Sequence, residues 1–151
     1  MAYTQIIYHI IFGTKNRART LDKKGRKELF QYIHGILKNK RCYTYQNYQI
    51  NGVEDHIHIL SSLHPSLALA DLIKSLKISS NKWIKENKVF PMFDSWQAKY
   101  GAVTCSFKDK DRIIEYIKNQ EEHHKKVTFT SEYLNFLEER GIHYDERFLF
   151  E

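Results

Sequence analysis

The chain has 151 residues, 42% apolar and 14% aromatic, a content that supports one compact domain, residues 1–151, with a buried core and excludes a disordered tail. Its apolar runs, such as IIYHIIF at 6–12, are far shorter than the roughly 20 residues that cross a bilayer. The opening MAYTQIIYH lacks the basic-then-apolar order of a secretory leader, so a cytoplasmic protein is expected. Lys and Arg outnumber Asp and Glu to give a net charge of +6 and a pI of about 9.2. That balance suits a polyanion, because Lys and Arg that neutralise phosphates release condensed counterions, but charge alone does not separate a nucleic-acid binder from other basic proteins. Cys42 and Cys105 have no metal-ligand spacing and read as reduced thiols.

Tyr3 to Gly13, rich in Ile, Tyr and Phe, predicts a strand, followed by a basic loop at Asn16 to Arg19. Leu29, Phe30, Ile33, Ile36 and Leu37 recur at helical spacing and predict a helix from Asp22 to Lys40. CYTYQNYQI at 42–50 alternates tyrosines with polar residues; with a turn at Asn51-Gly52 and an extended run from Asp55 to Leu63, it predicts an antiparallel hairpin. Ser66 to Lys88 predicts a long amphipathic helix with Leu69, Leu72, Ile73, Leu76 and Trp83 in its stripe and Lys74, Lys77, Lys82 and Lys85 left to solvent or phosphate. Pro91 ends it. A strand at Trp96 to Ser106, a helix at Lys108 to Lys126 and a last helix at Ser131 to Arg140, capped by Ser131 and stopped at Gly141, complete the chain. The order β-α-β-β-α-β-α is that of an α+β, ferredoxin-like or RRM-like antiparallel sheet with packed helices.

Within the strand DHIHIL, residues two apart share a face, so His56 and His58 project together while Ile57 and Ile59 face the other way. Neutral imidazole is a common metal ligand, and a strand fixes two of them with little further ordering. Taken alone, H-x-H more often lines a solvated sheet face. The helix RIIEYIKNQEEHHKK adds Tyr116 and Gln120, four apart and therefore on one side, at the border of the isoleucine face that should meet the sheet. A carboxamide oxygen can serve as third ligand to a hard cation such as Mg²⁺ or Mn²⁺. Tyr116 can then act as nucleophile, given a neighbouring cation or base that favours the phenolate; the plain alternative is a tyrosine packed at a helix border.

Four stretches are similar, in this order, to one known family: YHIIFGTKNR with its aromatic strand and basic loop, EDHIHILSSLHPSLALADLIKSLKISS with its His pair and lysine-bearing helix, WQAKYGAVTCSF, and IIEYIKNQ. They resemble the TnpA-type single-tyrosine transposases of the HUH superfamily, the IS200-like class of insertion sequences, over nearly the whole chain. The resemblance implies metal ligands at His56, His58 and Gln120 and the nucleophile at Tyr116. It implies cleavage and rejoining of single-stranded DNA at hairpin-bearing element ends through a 5′-phosphotyrosine. It further implies a homodimer in which each site takes its His pair from one subunit and its tyrosine from the other. Asp55 is retained before the first histidine, whereas Glu54 stands where the family often has proline. The stretch from Phe129 to Glu151 matches least, and packing against the catalytic helix and DNA binding are both open to it.

Lys15, Arg17, Arg19, Lys74 and Lys77 are candidate phosphate contacts, and Tyr43, Tyr45 and Tyr48 candidate stacking platforms for unpaired bases. His124 continues the Tyr116/Gln120 spacing and is a conceivable ligand, although HHKK at a helix end is ordinarily a solvated cationic terminus. His9 and His64 read as structural. Two other functions fit the same pattern: a non-catalytic RRM-like nucleic-acid-binding module, which would carry exposed aromatics in its central strands, and an HUH nickase for replication or transfer, expected in a longer chain.

Overall fold

A computed structural model describes residues 2–44 and 49–151. Tyr45 and Tyr48, two of the three candidate stacking tyrosines, lie outside the described residues. Four antiparallel strands, β1 (Ile7–Gly13), β2 (Ile50–Gly52), β3 (His56–Ser62) and β4 (Gly101–Thr104), form one sheet in the order β2-β3-β1-β4. The helices are α1 (Lys23–Asn39), α2 (Leu69–Glu86), α3 (Lys110–Lys118), α4 (Gln120–His123) and α5 (Phe129–Glu139). The fold is α+β with the expected ferredoxin-like order.

Alternation in β3 and β1 divides the apolar residues between two layers. Ile57, Ile59, Ile10 and Phe12 join the α1 residues Leu29, Ile33 and Leu37 and the α2 residues Leu72, Ile73 and Leu76 in the main core. Full burial of one such side chain is worth about 1.5–3 kcal/mol, so this face fixes the register of the sheet. The opposite face carries His9, Ile11, His56, His58 and Leu60, covered by two smaller clusters built from α5 and α3.

Several boundaries differ from expectation for local reasons. Asn51 and Gly52 lie within β2, paired with His58 and Ile57, and do not form the turn expected of them. Gly52 is there because the backbones approach closely: a Cβ would stand 2.3 Å from the His56 carbonyl oxygen and 2.9 Å from Ile57 Cα. Cys42 to Ile50 is no continuous strand among its described residues, since Thr44 makes a single bridge to Ser61. The first strand begins at Ile7, and the strand expected at Trp96 to Ser106 shrinks to β4, with Trp96 bridging Thr14. The helix expected from Lys108 to Lys126 is broken at Asn119 into α3 and α4. Asn51 Nδ2 donates to the carbonyls of Ile117 and Lys118 at 2.9 and 3.2 Å, taking acceptors a continuing helix would use. Thr128, not Ser131, caps α5, accepting from Ser131 N–H at 3.2 Å; Gly141 ends it at φ +65° as expected. Asp22 caps α1 through Gly25 N–H at 3.1 Å.

Because the groups facing Gly52 are backbone, they cannot yield as a side chain would. Gly52→Ala is expected to lower stability by about 1–3 kcal/mol, the usual range for overpacking, measured by urea denaturation; unchanged stability would contradict the close packing of β2 on β3.

Candidate metal and tyrosine site

Both β3 histidines are fully buried, which removes the reading of H-x-H as a solvated sheet face. Their outer nitrogens are held: His56 Nδ1 donates to Asp55 Oδ1 at 2.7 Å, and His58 Nδ1 shares a hydrogen bond with His9 Nε2 at 2.8 Å. Both Nε2 atoms therefore point inward, the arrangement in which a partner on one imidazole nitrogen fixes the other as a ligand atom. His9 thus positions His58, a role beyond the structural one read from sequence.

The centre of the cluster is Glu132 of α5, which the sequence reading did not single out. Its Oε1 lies 2.9 Å from His56 Nε2, 3.1 Å from His58 Nε2 and 2.9 Å from His124 Nε2. Its Oε2 accepts from the Tyr116 hydroxyl and from Gln120 Nε2, the latter at 3.1 Å. Gln120 Oε1 lies 3.3 Å from His56 Nε2. The break at Asn119 therefore does not separate Tyr116 from Gln120; both reach the same carboxylate. Tyr116 also sets its ring edge-on to His58, centroids 5.7 Å apart. One signal for Glu132 was present: it sits among Phe129, Tyr133, Phe136 and Leu137, on the apolar face of α5, where an unpaired carboxylate is rarely tolerated.

Packing sets α5 on the site. Phe129 stacks on His56, centroids 4.0 Å apart and rings 3° from parallel. Gly13, opposite His56 in β1, leaves the space, since a Cβ there would stand 2.6 Å from the Phe129 ring.

The electrostatics follow from burial against pairing. Burial holds His9 well below the ordinary imidazole range, with His58 adding to it; burial also lowers His58, outweighing the Glu132 carboxylate. At His56 burial is outweighed by Asp55 and Glu132, and the pKa rises. Burial would raise Glu132, yet the three surrounding imidazoles hold it well below the carboxylate range. Burial and the Glu132 carboxylate push the Tyr116 phenol far up, which favours its protonated form.

His56, His58, His124 and Glu132 offer ligand atoms all within 4.8 Å of one another. With Nδ1 of His56 donating to Asp55, its Nε2 can offer a lone pair once that nitrogen is deprotonated, and with the Nε2 atoms of His58 and His124 around one carboxylate oxygen the group can hold a cation in place of imidazole protons. The donor chemistry fits a divalent metal.

The candidate phosphate contacts are placed around the structure unequally. Lys74 is exposed on α2. Lys77 is turned inward, its ammonium donating to the carbonyls of Gln97, Ala98 and Lys99 at 2.7, 3.1 and 2.9 Å, and burial lowers its pKa to about 8; it is not left to solvent as its helix position suggested. Lys15 pairs with Asp94, Arg19 with Glu54, and Arg17 donates to Thr130 Oγ1 at 2.7 Å. The His64 ring bonds to Ser66 Oγ at 2.7 Å.

A family model described as "Transposase IS200 like" matches residues 2–120. The chain belongs to that transposase family. No curated protein matches. Among solved structures, one described as a candidate transposase from Deinococcus radiodurans R1 superposes with a TM-score of 0.59 at 22% identity, covering 79% of this chain and 93% of that one. A REP-associated tyrosine transposase bound to a REP hairpin superposes with a TM-score of 0.57 at 14% identity, covering 84% of this chain and 73% of the other. At these identities the two share the fold. No helix among the described residues is long and apolar enough to cross a membrane.

The shifts give a pH dependence for the metal-free protein. His9 and His58, lowered, weaken the fold as pH falls below the ordinary 6.5, because only the unfolded chain then takes up their protons. Glu132, lowered, contributes stability above its ordinary 4.5 that is lost as pH falls further. His56, raised, acts oppositely, its share being lost as pH rises above 6.5. Melting temperature is therefore expected to fall from pH 7 towards pH 4, with a shallower fall below pH 4.5 in Glu132→Gln; identical slopes would contradict the pairing of Glu132 with the imidazoles.

Proposed function

We propose that this transposase, acting as one HUH domain, cleaves and rejoins single-stranded DNA at insertion-sequence ends through a 5′-phosphotyrosine on Tyr116, with a divalent cation such as Mg²⁺ or Mn²⁺ on His56, His58 and Gln120. The observation that carries it is the convergence of a tyrosine hydroxyl, a carboxamide and two inward imidazole nitrogens on one buried point. The Tyr116 oxygen attacks phosphorus, a P–O bond forms, the P–O3′ bond breaks, and the 3′ oxygen leaves as a hydroxyl. Bond energy is retained in the phosphotyrosine, so the reverse attack by another 3′-OH rejoins strands without ATP. The cation supplies Lewis-acid stabilisation of the phosphate oxygens. Asp55 and His9 hold the two imidazoles, and Gln120 sits beside the phenol that they face.

A hairpin-bearing DNA partner is supported by the neighbour described with its REP hairpin and by the net charge of +6. An open groove lined by Lys23, Arg26, Lys27, His34, Asn51 and Glu121, in which Glu121 pairs with Lys23 and Arg26, offers Lys27 to a phosphate backbone. Burial of the His pair disfavours the non-catalytic module, which needs no such cluster.

Tyr116→Phe is expected to abolish the covalent protein–DNA adduct on a nicked hairpin substrate while leaving binding intact, read by denaturing gel and mobility shift. EDTA and His56→Ala are each expected to reduce cleavage by at least about a hundredfold, as loss of electrostatic stabilisation does; an adduct in Tyr116→Phe would defeat the assignment. The chain brings Tyr116 against its own His58, which favours a site complete in one subunit over the shared homodimer that the resemblance implies. Mixing His58→Ala with Tyr116→Phe is then expected to give no cleavage, whereas recovery would establish the shared arrangement.

A further inference from the structure

We propose that the segment beyond the family match supplies the same cation with two more ligands, Glu132 and His124, and that the three imidazoles, with the Glu132 carboxylate beside the Gln120 carboxamide, select a borderline transition ion, Mn²⁺, Co²⁺ or Zn²⁺, over Mg²⁺. The inference rests on the reading that His56 and His58 hold a cation, and extends it to residues the family match, ending at residue 120, does not include.

Glu132 is 5% exposed, and among the described residues its charged neighbours within 4 Å are imidazoles, with no Lys or Arg. A carboxylate buried this way is costly unless a positive charge compensates it. Two of those imidazoles already have their outer nitrogens engaged, by Asp55 and by His9, so the nitrogens facing Glu132 Oε1 are the ones available to a metal. His124 adds a third, its ring edge-on to His56 with centroids 4.5 Å apart. Ligand atoms gathered from β3, from the turn after α4 and from α5 stand within 4.8 Å of each other, close enough for one ion to touch all four.

The donor types then decide the ion. Mg²⁺ prefers an all-oxygen octahedron that retains waters, whereas imidazole suits the later first-row ions, and Mn²⁺ accepts both. Three nitrogens to two oxygens, with Gln120 included, lies on the transition-metal side. Ligation through Oε1 leaves Oε2 accepting from Tyr116 and Gln120, so Glu132 also positions the phenol next to the ion. The C-terminal helix, docked by Phe129 on His56, thereby becomes part of the metal site.

Isothermal titration of the full chain with MnCl₂ and with MgCl₂ tests this without DNA cleavage. The wild-type chain is expected to bind Mn²⁺ at least about tenfold more tightly than Mg²⁺, and Glu132→Gln and His124→Ala are each expected to weaken Mn²⁺ binding by at least about tenfold, the scale on which even supporting groups act. If Glu132→Gln does not fold, His124→Ala decides, and the Co²⁺ absorption bands of the two proteins give a second readout of the ligand set. Wild-type affinity in both variants together with loss in His58→Ala, or equal affinity for Mn²⁺ and Mg²⁺, would overturn this ligand set and leave the His-pair reading standing. Unchanged affinity in His58→Ala would instead overturn the reading on which it rests.

Discussion

The structure depends on one buried contact, that between the Glu132 carboxylate and the inward nitrogens of His56, His58 and His124. No side of this cluster is stable alone. Imidazoles on a sheet face want water or partners, and a carboxylate on the apolar side of a helix wants a positive charge. Docking α5 on the sheet satisfies them together and brings the Tyr116 hydroxyl and the Gln120 carboxamide to the same point. The packing that makes this possible is small in scale: Gly13 leaves room for Phe129 on His56, and Gly52 lets β2 lie against the start of β3.

The opposite face supplies the rigidity. Ile57 and Ile59 alternate with the two histidines, so every residue that locks β3 into the core also fixes the angle at which an imidazole leaves the sheet. Holding two imidazoles on a strand and their partners Asp55 and His9 on adjacent backbone leaves the pair little freedom to reorganise. The same burial, with the Glu132 carboxylate beside it, holds the Tyr116 phenol in its protonated form.

Most of the architecture was legible in the sequence because period and capping reported it: the DHIHIL alternation, the α1 stripe opened by Asp22, and the stop at Gly141. The misread segments are those where tertiary partners override local signals. Asn51-Gly52 has the chemistry of a turn, yet Gly52 serves a close strand approach and Asn51 takes the last carbonyls of α3, breaking a helix whose sequence periodicity runs on. Of the candidate cluster, the His pair, Tyr116 and Gln120 were singled out by spacing, order and resemblance. Glu132 was not, because its β3 partners are 74 and 76 positions away and only its place on the apolar side of α5 hinted at them. The lysine stripe of α2 shows the converse: Lys77 has the spacing of an exposed cation but is drawn inward by three carbonyls.

The central claim is that one cation sits between the inward nitrogens of β3 and within reach of Tyr116. A crystal structure of the chain grown with Mn²⁺, with anomalous differences collected at the manganese edge, tests it most directly. A single peak about 2.0–2.3 Å from His56 Nε2 and His58 Nε2, beside the Tyr116 hydroxyl, is the expected result for such ligands. A peak elsewhere, or none at the His pair at saturating Mn²⁺, would contradict it.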